Sequence, residues 1–515
     1  MSHSIALVVL LAIPLVGGLA MFAVPPDREE TAKQVALGTS LVALVYAVVL
    51  AFRFHDDGAR FQFQGSWMWI KDFGVHFALG VDGIALALIL MSAVLVPAVI
   101  LASWNSVDTT EDAESLDQPM RSPRTFFALI LMLEVFMFGV FAATDVFLFY
   151  VFFEAMLIPM YFIIGMFGGP RRQYAAMKFF LYSLLGGLLM LASVIGLYVT
   201  AGTSSFAFSD LVGKVPDGAS QKWLFLGFFI AFAIKAPLVP FHTWLPDAGA
   251  EAPVGGAVLL VGVLDKVGTF GFLRYCLPLF PDASRYFAPL VLILSVIGLL
   301  YAAFLAMGQR DMKRLVAYTS VAHFGFIGLG IFAFTTQGGT GAVLYMVNHG
   351  LSTGALFLVV GFLIARGKSR RITDYGGTAR ITPRLGGMFL LAGLSALALP
   401  GLSTFVSEFL VLLGTFTRHK GLAVVATTGI ILAALYVLLL YQRTMQGTVS
   451  SKVRAFRDLN PRELLAVGPL LVLIVVLGVY PKPIIDMVNP AVKATLSDVH
   501  KTDPVPVDAQ PGVGK

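Results

Sequence analysis

The chain is a succession of long apolar runs separated by short polar stretches. The runs span roughly 3–25, 35–54, 79–104, 124–167, 174–201, 223–243, 253–276, 287–308, 312–336, 340–366, 384–416, 421–446 and 463–481. A membrane helix needs about 20 mostly apolar residues, because each adds about 1.5 Å against a hydrocarbon core of about 30 Å. The run 124–167 is too long for one crossing, and Ala143-Thr144-Asp145 is its natural break. The pattern predicts an all-α polytopic membrane protein with about 14 transmembrane helices. One segment departs from helical spacing. Within 55–80, Phe61-Gln62-Phe63-Gln64 and Val75-His76-Phe77 alternate with a period of two, which predicts a β-hairpin. Trp67 and Trp69 beside it suit the boundary between water and lipid.

Composition agrees with this reading. Of 515 residues, 57% are hydrophobic and 13% charged, against about 25% charged in soluble chains. A soluble enzyme and a disordered protein are excluded. The net charge of +6 is too thinly scattered for a nucleic-acid partner, so the expected surroundings are a lipid bilayer and other proteins. Cys276 is the single cysteine. That excludes a disulfide framework, a thiolate-ligated zinc site and an iron–sulfur cluster on this chain.

Charge sets the expected orientation. Most lysines and arginines fall in the odd-numbered connections, for example Arg171, Arg172, Arg310, Lys313, Arg314 and the set from Arg366 to Arg384. The positive-inside rule places those connections in the cytoplasm and both termini outside. Residues 1–25 lack a basic start, and Pro25-Pro26-Asp27 follows the run instead of a small-residue cleavage site, so they are expected to remain as the first helix. No Arg- and Ser-rich transit segment is evident, which favours a bacterial plasma membrane. The connection 105–123 is acidic and polar and is expected to be solvated. The tail from about 490 carries Pro504, Pro506 and Pro511 and is expected to be disordered.

A few ionisable residues lie deep in the runs. They are Glu134, Glu154, Lys235, Lys266, His323, His349 and Glu408, on seven different helices. At about 1.5 Å per residue each lands within a few ångströms of mid-bilayer. A charge there costs about 2.5–3.5 kcal/mol. An ion pair or an interhelical hydrogen bond explains any one of them. A row at one depth across the chain points to an ion path. His323 and His349 stand singly on separate helices, which suits a relay or a water-binding role better than a metal site.

Helix breakers mark two of these positions. Pro237 follows Lys235, and Pro400-Gly401 precedes Glu408. Interrupted helices in corresponding places point to inverted repeats with the ion site at the break. The organisation expected is 1–123 for helices 1–3 with the outer hairpin, 124–276 and 287–446 for two five-helix repeats, and 463–515 for the last helix and tail. Four residues are possible supports, each with a plainer alternative. Glu134 has no obvious partner. Asp145 starts a helix, where a carboxylate is favourable in any case. His242 stands at a helix end, where a structural hydrogen bond accounts for it. Asp265 precedes Lys266, and helix neighbours one apart do not face each other. Asp82, at the outer end of the third helix, is expected to be structural.

Several segments resemble a known family. Phe149-Tyr150-Val151-Phe152-Phe153-Glu154-Ala155-Met156-Leu157-Ile158-Pro159-Met160 resembles the fifth helix of the antiporter-like subunits of respiratory complex I. Lys235-Ala236-Pro237, His242-Thr243-Trp244-Leu245-Pro246-Asp247-Ala248, Glu251-Ala252-Pro253 and Lys266-Val267-Gly268-Thr269-Phe270-Gly271 continue the likeness. So do Asp311-Met312-Lys313-Arg314-Leu315, Ala317-Tyr318-Thr319-Ser320, His323, Asn348-His349-Gly350-Leu351 and Ser407-Glu408-Phe409. The likeness runs in order over roughly 80–480, and the His242–Ala248 block is its most specific part.

The resemblance implies 14 helices, two inverted five-helix repeats and proton translocation. By the same resemblance Glu154 and Lys235 form the carboxylate–lysine pair, Lys266 is the central lysine, Glu408 the terminal charge, and His323 and His349 lie on the polar axis between them. Glu408 and the short tail favour the M-type branch over the L and N types, which would be partners in the membrane arm. NADH, FMN, iron–sulfur clusters and quinone would belong to partner subunits, leaving no cofactor, metal or catalytic redox centre here. Two departures stand out. Gly249-Ala250-Glu251 lacks a loop histidine common in the family, and Asp265 stands where an apolar residue is usual. Two rival readings share these features. One is a subunit of a multi-subunit cation/proton antiporter or membrane-bound hydrogenase. The other is a structural scaffold that transports nothing.

Overall fold

The computed structural model describes residues 3–25, 27–105 and 122–504. Most of the acidic connection 105–123 and the end of the tail lie outside the described residues. The helices are α1 (Ala6–Ala20), α2 (Glu29–Phe52), α3 (Gly83–Ser103), α4 (Pro123–Ala142), and α5 (Val146–Ala155, continuing as Leu157–Phe167). Then come α6 (Arg172–Ala201), α7 (Ala219–Lys235 and, after a break, Trp244–Glu251), α8 (Val254–Leu279), α9 (Pro281–Met307), and α10 (Met312–Phe332). The last are α11 (Thr336–Gly367), α12 (Pro383–Ala396 and, after a break, Ser403–Phe416), α13 (Lys420–Met445), α14 (Pro461–Val479) and α15 (Lys482–Asp498). Among the described residues twelve helices are long and apolar enough to cross a membrane. The two apolar stretches left out of that number are α7 and α12, because each is split.

Side chains at the helix ends explain where several helices begin. Asp82 accepts the Ala85 N–H at 2.9 Å and starts α3. Asp145 accepts from Phe147 and Leu148 and starts α5 at the break expected in the run 124–167. Asn460 and Glu463 bond reciprocally at the start of α14, satisfying two backbone donors. The hairpin pairs β1 (Gln62–Ile70) with β2 (Val75–Val81) antiparallel, with Trp67 opposite Phe77 and Met68 opposite His76. Gly74, at φ +65°, closes its turn so tightly against Ser204 that a methyl group there would collide with the Ser204 carbonyl.

Burial divides the bundle into an inside and an outside. α8 is enclosed along its whole length, and α3, α10 and α11 nearly so, whereas α2, α6, α13 and α14 expose much of theirs. The enclosed helices are the ones that carry Lys266, His323 and His349. The connections sort into two faces. On one, Arg366 pairs with Glu463 at 2.7 Å, Arg370 with Glu251 at 3.3 Å, and Lys452 with Asp374 at 3.2 Å. On the other, Arg60 pairs with Asp498 at 2.7 Å, and the Arg285 guanidinium donates to the Val499 carbonyl at 3.0 Å.

That second face corrects the expectation of a disordered tail from about 490. α15 runs through Asp498 and buries Val488, Ala491, Val492, Thr495 and Leu496. These positions recur every three or four residues and form one apolar stripe that packs on α3 and α11. Thr340 donates to Asn489 at 2.5 Å, and the Thr336 N–H to Asp503 at 2.7 Å. The prolines and lysines of this segment hid the stripe, because its polar side faces away from the bundle.

Arg274 does more than mark a helix end. It is buried in α8, ion-paired with Asp82 at 2.7 Å and too oblique for a hydrogen bond. The rings of Phe61 and Phe270 flank it at 4.6 and 5.0 Å. Asp82 is thus structural, joining α3, α8 and the hairpin. Asp82→Ala leaves a buried cation without its partner. It is expected to destabilise the protein by about 3–5 kcal/mol, read as a lower unfolding midpoint in detergent, and the double change Asp82→Leu with Arg274→Met should recover most of the loss.

Candidate functional site

Six of the deep residues come together in one line. Glu154 lies on α5 and is only partly covered. Its carboxylate fills a notch on α6, where a methyl group on Gly187 would overlap it. The exposed side chains of Ile158 and Phe162 continue that outer surface. Glu154 acts electrostatically on Lys235, the last residue of the first arm of α7. A helix C-terminus favours a cation through its unpaired carbonyl dipoles. The Lys235 ammonium is buried, takes no hydrogen bond, and sits 5.0 and 5.7 Å from the ring centres of Phe153 and Phe179. The break that follows is built by Pro237 and Pro240, with a cis Val239–Pro240 bond. Its strands of backbone stay bonded, since the Trp244 indole donates to the Ile234 carbonyl at 2.8 Å and the Leu238 N–H reaches Ala233 at 3.0 Å.

Lys266 occupies the centre. α8 widens into π-helical turns at Leu260–Leu264 and Phe272–Cys276, on either side of it. Such turns expose carbonyls to other partners and are frequent at functional positions. The Lys266 ammonium donates to the Val261 carbonyl and lies 2.6 Å from Nδ1 of His349 on α11. The His349 and His323 rings are 5.2 Å apart and nearly perpendicular, which carries the line onto α10. The Tyr345 ring lies 5.7 Å from His323, and its hydroxyl donates to Glu408 on the second arm of α12. Asn348 holds that arm in place through the Ser403 carbonyl at 2.8 Å and the Ser407 hydroxyl at 2.7 Å.

The order is therefore Glu154, Lys235, Lys266, His349, His323, Tyr345 and Glu408. Asp265 joins it, fully buried and acting electrostatically on both Lys266 and Lys235. Tyr345 and Tyr436, whose hydroxyl is 3.5 Å from Nε2 of His323, were not singled out from sequence. Tyr345 precedes His349 by one helical turn, a spacing that puts both on one face and is the one signal the sequence held for it.

Three other candidates stand elsewhere. Glu134 is fully buried on α4, with neither oxygen hydrogen-bonded and no charged group beside it. Asp145 accepts three backbone N–H groups, from His76, Phe147 and Leu148, and so acts as a cap. His242 lies in the α7 break with its ring 5.4 Å from Tyr301. The segment after it is an anchor. Asp247 binds Lys178 at 2.7 Å and Arg314 at 2.8 Å, while Glu251 meets Arg370 at 3.3 Å and Arg171 at 3.8 Å. Among the described residues no three His, Cys, Asp or Glu gather as a metal site.

Two split helices, an enclosed inner column and a line of titratable groups across it define an antiporter-like membrane protein. The family described as NADH:quinone oxidoreductase/Mrp antiporter, transmembrane, matches residues 143–433. NADH-quinone oxidoreductase subunit M of Mycobacterium tuberculosis is 48% identical over 530 residues, covering 98% of this chain and 96% of that protein. A chain of respiratory complex I from Thermus thermophilus superposes with a TM-score of 0.87 at 31% identity, over 96% of this chain and 99% of that one. A chain of the Mrp complex from Dietzia superposes at 0.82 over 96% of this chain and 99% of that one, but at 18% identity, a likeness of fold alone. The chain belongs to the NADH-quinone oxidoreductase subunit M family, the antiporter-like membrane-arm subunits of complex I.

The notch at Gly187 gives a test of the site's first residue. Gly187→Ala is expected to displace the Glu154 carboxylate and to depress redox-driven proton uptake as Glu154→Gln does. Gly38→Ala, at a position open to space, should leave uptake unchanged.

Proposed function

We propose that this chain translocates protons as a non-redox subunit of NADH:quinone oxidoreductase. The supporting observation is the succession of titratable groups from the partly exposed Glu154 to the enclosed Glu408. Lys235 holds a proton while Glu154 is near and releases it when that pair loosens. The proton passes by Lys266, His349 and His323, with water between groups that do not touch, to Tyr345 and Glu408, and leaves on the outer side. The driving charge arrives at Glu154 from a neighbouring subunit, for which its partly exposed position on α5 is suited.

The same reading gives 14 crossings, counting split α7 and α12 as one each, and two inverted repeats of α4–α8 and α9–α13. It places the chain in a bacterial plasma membrane with both termini outside. Its partners are the other membrane-arm subunits, including the L and N types. NADH, FMN, iron–sulfur clusters and quinone lie on partner subunits, since one buried cysteine cannot ligate a cluster.

Lys235→Ala in sealed vesicles carrying the whole complex tests the assignment. The expected result is loss of NADH-driven proton uptake, and an unchanged pumping ratio would overturn it. Glu408→Gln separates pumping from scaffolding. It should spare assembly and reduce uptake, whereas a scaffold would show failed assembly with the remaining complex pumping normally.

A further inference from the structure

Asp265 is the buried charge to which the proposed path assigns no step. It is fully enclosed, and neither carboxyl oxygen has a hydrogen-bond partner. An isolated carboxylate in such surroundings is costly, so a charge partner must offset it. The packing of α8 shows where that partner lies. Residues three or four apart share one face of a helix. Gly268 and Gly271 press on α7, for a methyl on the first would meet the backbone of Phe232 and Ala236, and one on the second the ring of Phe232. Asp265 is three residues before Gly268 and four before Thr269, so it lies between that face, which meets the end of the helix at Lys235, and the next. Lys266 and Thr269 belong to another face, bonded to His349 and Met346 of α11.

Asp265 thus sits on α8 between the side that meets the end of α7 and the side that meets α11, while Lys266 turns to α11. The carboxylate attracts both ammonium groups. Lys235 has no hydrogen bond of its own, and the bonds of Lys266 go to Val261 and His349. No hydrogen bond joins the two lysines, and Asp265 is the carboxylate that acts on both.

Resting on the proton-translocating reading above, we propose that Asp265 is the carboxyl link between Lys235 and Lys266. The Lys235 ammonium gives a proton to an Asp265 oxygen, leaving a neutral amine and a neutral acid. The acid then protonates the neutral Lys266 amine and returns to carboxylate. One proton moves, and no other reactant is consumed. An acid between two amines also keeps them from both being charged and unscreened at once, which orders the two transfers.

The test uses the assembled complex in sealed vesicles. Asp265→Asn keeps the shape and a polar group, and Asp265→Leu keeps the branched shape without one. Neither breaks a hydrogen bond, so both are expected to assemble at the normal level. Redox-driven proton uptake should fall about tenfold or more in each, the scale of a lost proton-transfer group. Asp265→Glu should restore part of it. An infrared carboxyl band that appears during turnover should be missing from Asp265→Asn. Normal uptake in an assembled Asp265→Asn or Asp265→Leu complex overturns the link while Lys235→Ala is still inactive. If Lys235→Ala also pumps normally, the whole path falls, not this link alone. Failure of both Asn and Leu variants to assemble makes Asp265 a structural residue and also overturns the inference.

Discussion

An ammonium ion enclosed in apolar protein is the constraint from which the rest of this structure can be understood. Removing such an ion from water costs several kcal/mol even after the surroundings relax. Lys266 is fully buried, and two groups answer it directly, the Val261 carbonyl and His349. The carbonyl is available because α8 widens into a π-helical turn there. The histidine is available because α11 packs against the first part of α8, Val254–Leu264. The two partners come from backbone irregularity and helix packing, and both require the surrounding column to be rigid and closed.

The same logic governs the split helices. Within a bilayer a free backbone group costs several kcal/mol, so irregular backbone survives only where protein covers it. The α7 break is covered by the Trp244 indole, which caps the Ile234 carbonyl. The α12 break uses Ala398 and Gly401 with positive φ, the Leu399 N–H on the Leu394 carbonyl, and the Thr404 hydroxyl on Ser395. Each break leaves a helix terminus inside the bundle. One terminus holds Lys235 and the other starts the turn that carries Glu408. Interruption therefore serves placement, since a straight helix would have carried its charge past the line.

Much of this was legible in the chain. The apolar runs located the helices, and Pro237 and Pro400-Gly401 located the breaks. Spacing along each run brought Glu154, Lys235, Lys266, His323, His349 and Glu408 to similar levels. What could not be read was which neighbour each side chain meets. Asp265 and Lys266 looked like helix neighbours with nothing in common, because contact with α7 and α11 is tertiary. Tyr345 was hidden in an apolar run as one aromatic among many, and only the position of α12 makes its hydroxyl a partner of Glu408. The π-helical turns have no signature in local composition. α15 was missed for a different reason: its stripe is short, and Pro490 and the lysines dominate the local composition.

The distribution of satisfied and unsatisfied charge then separates frame from mechanism. At one face Asp247 and Glu251 each hold two cations, and at the other Arg60 and Arg285 tie α15 down. Those clusters are paired, and loosening any of them would leave charges without partners. Across the middle the opposite holds. The Lys235 ammonium, both oxygens of Asp265, Oε2 of Glu408 and one nitrogen of each histidine lack hydrogen bonds. A fully bonded buried network is rigid, whereas an incompletely bonded one has more than one arrangement of similar energy. Paired faces keep the helices in register, and on the proposed path the deficit between them would let a proton change partners without the bundle coming apart. A path of this kind needs the two kinds of charge kept separate, and the chain does so by pairing its charges at the faces and leaving those in the middle partly unpaired.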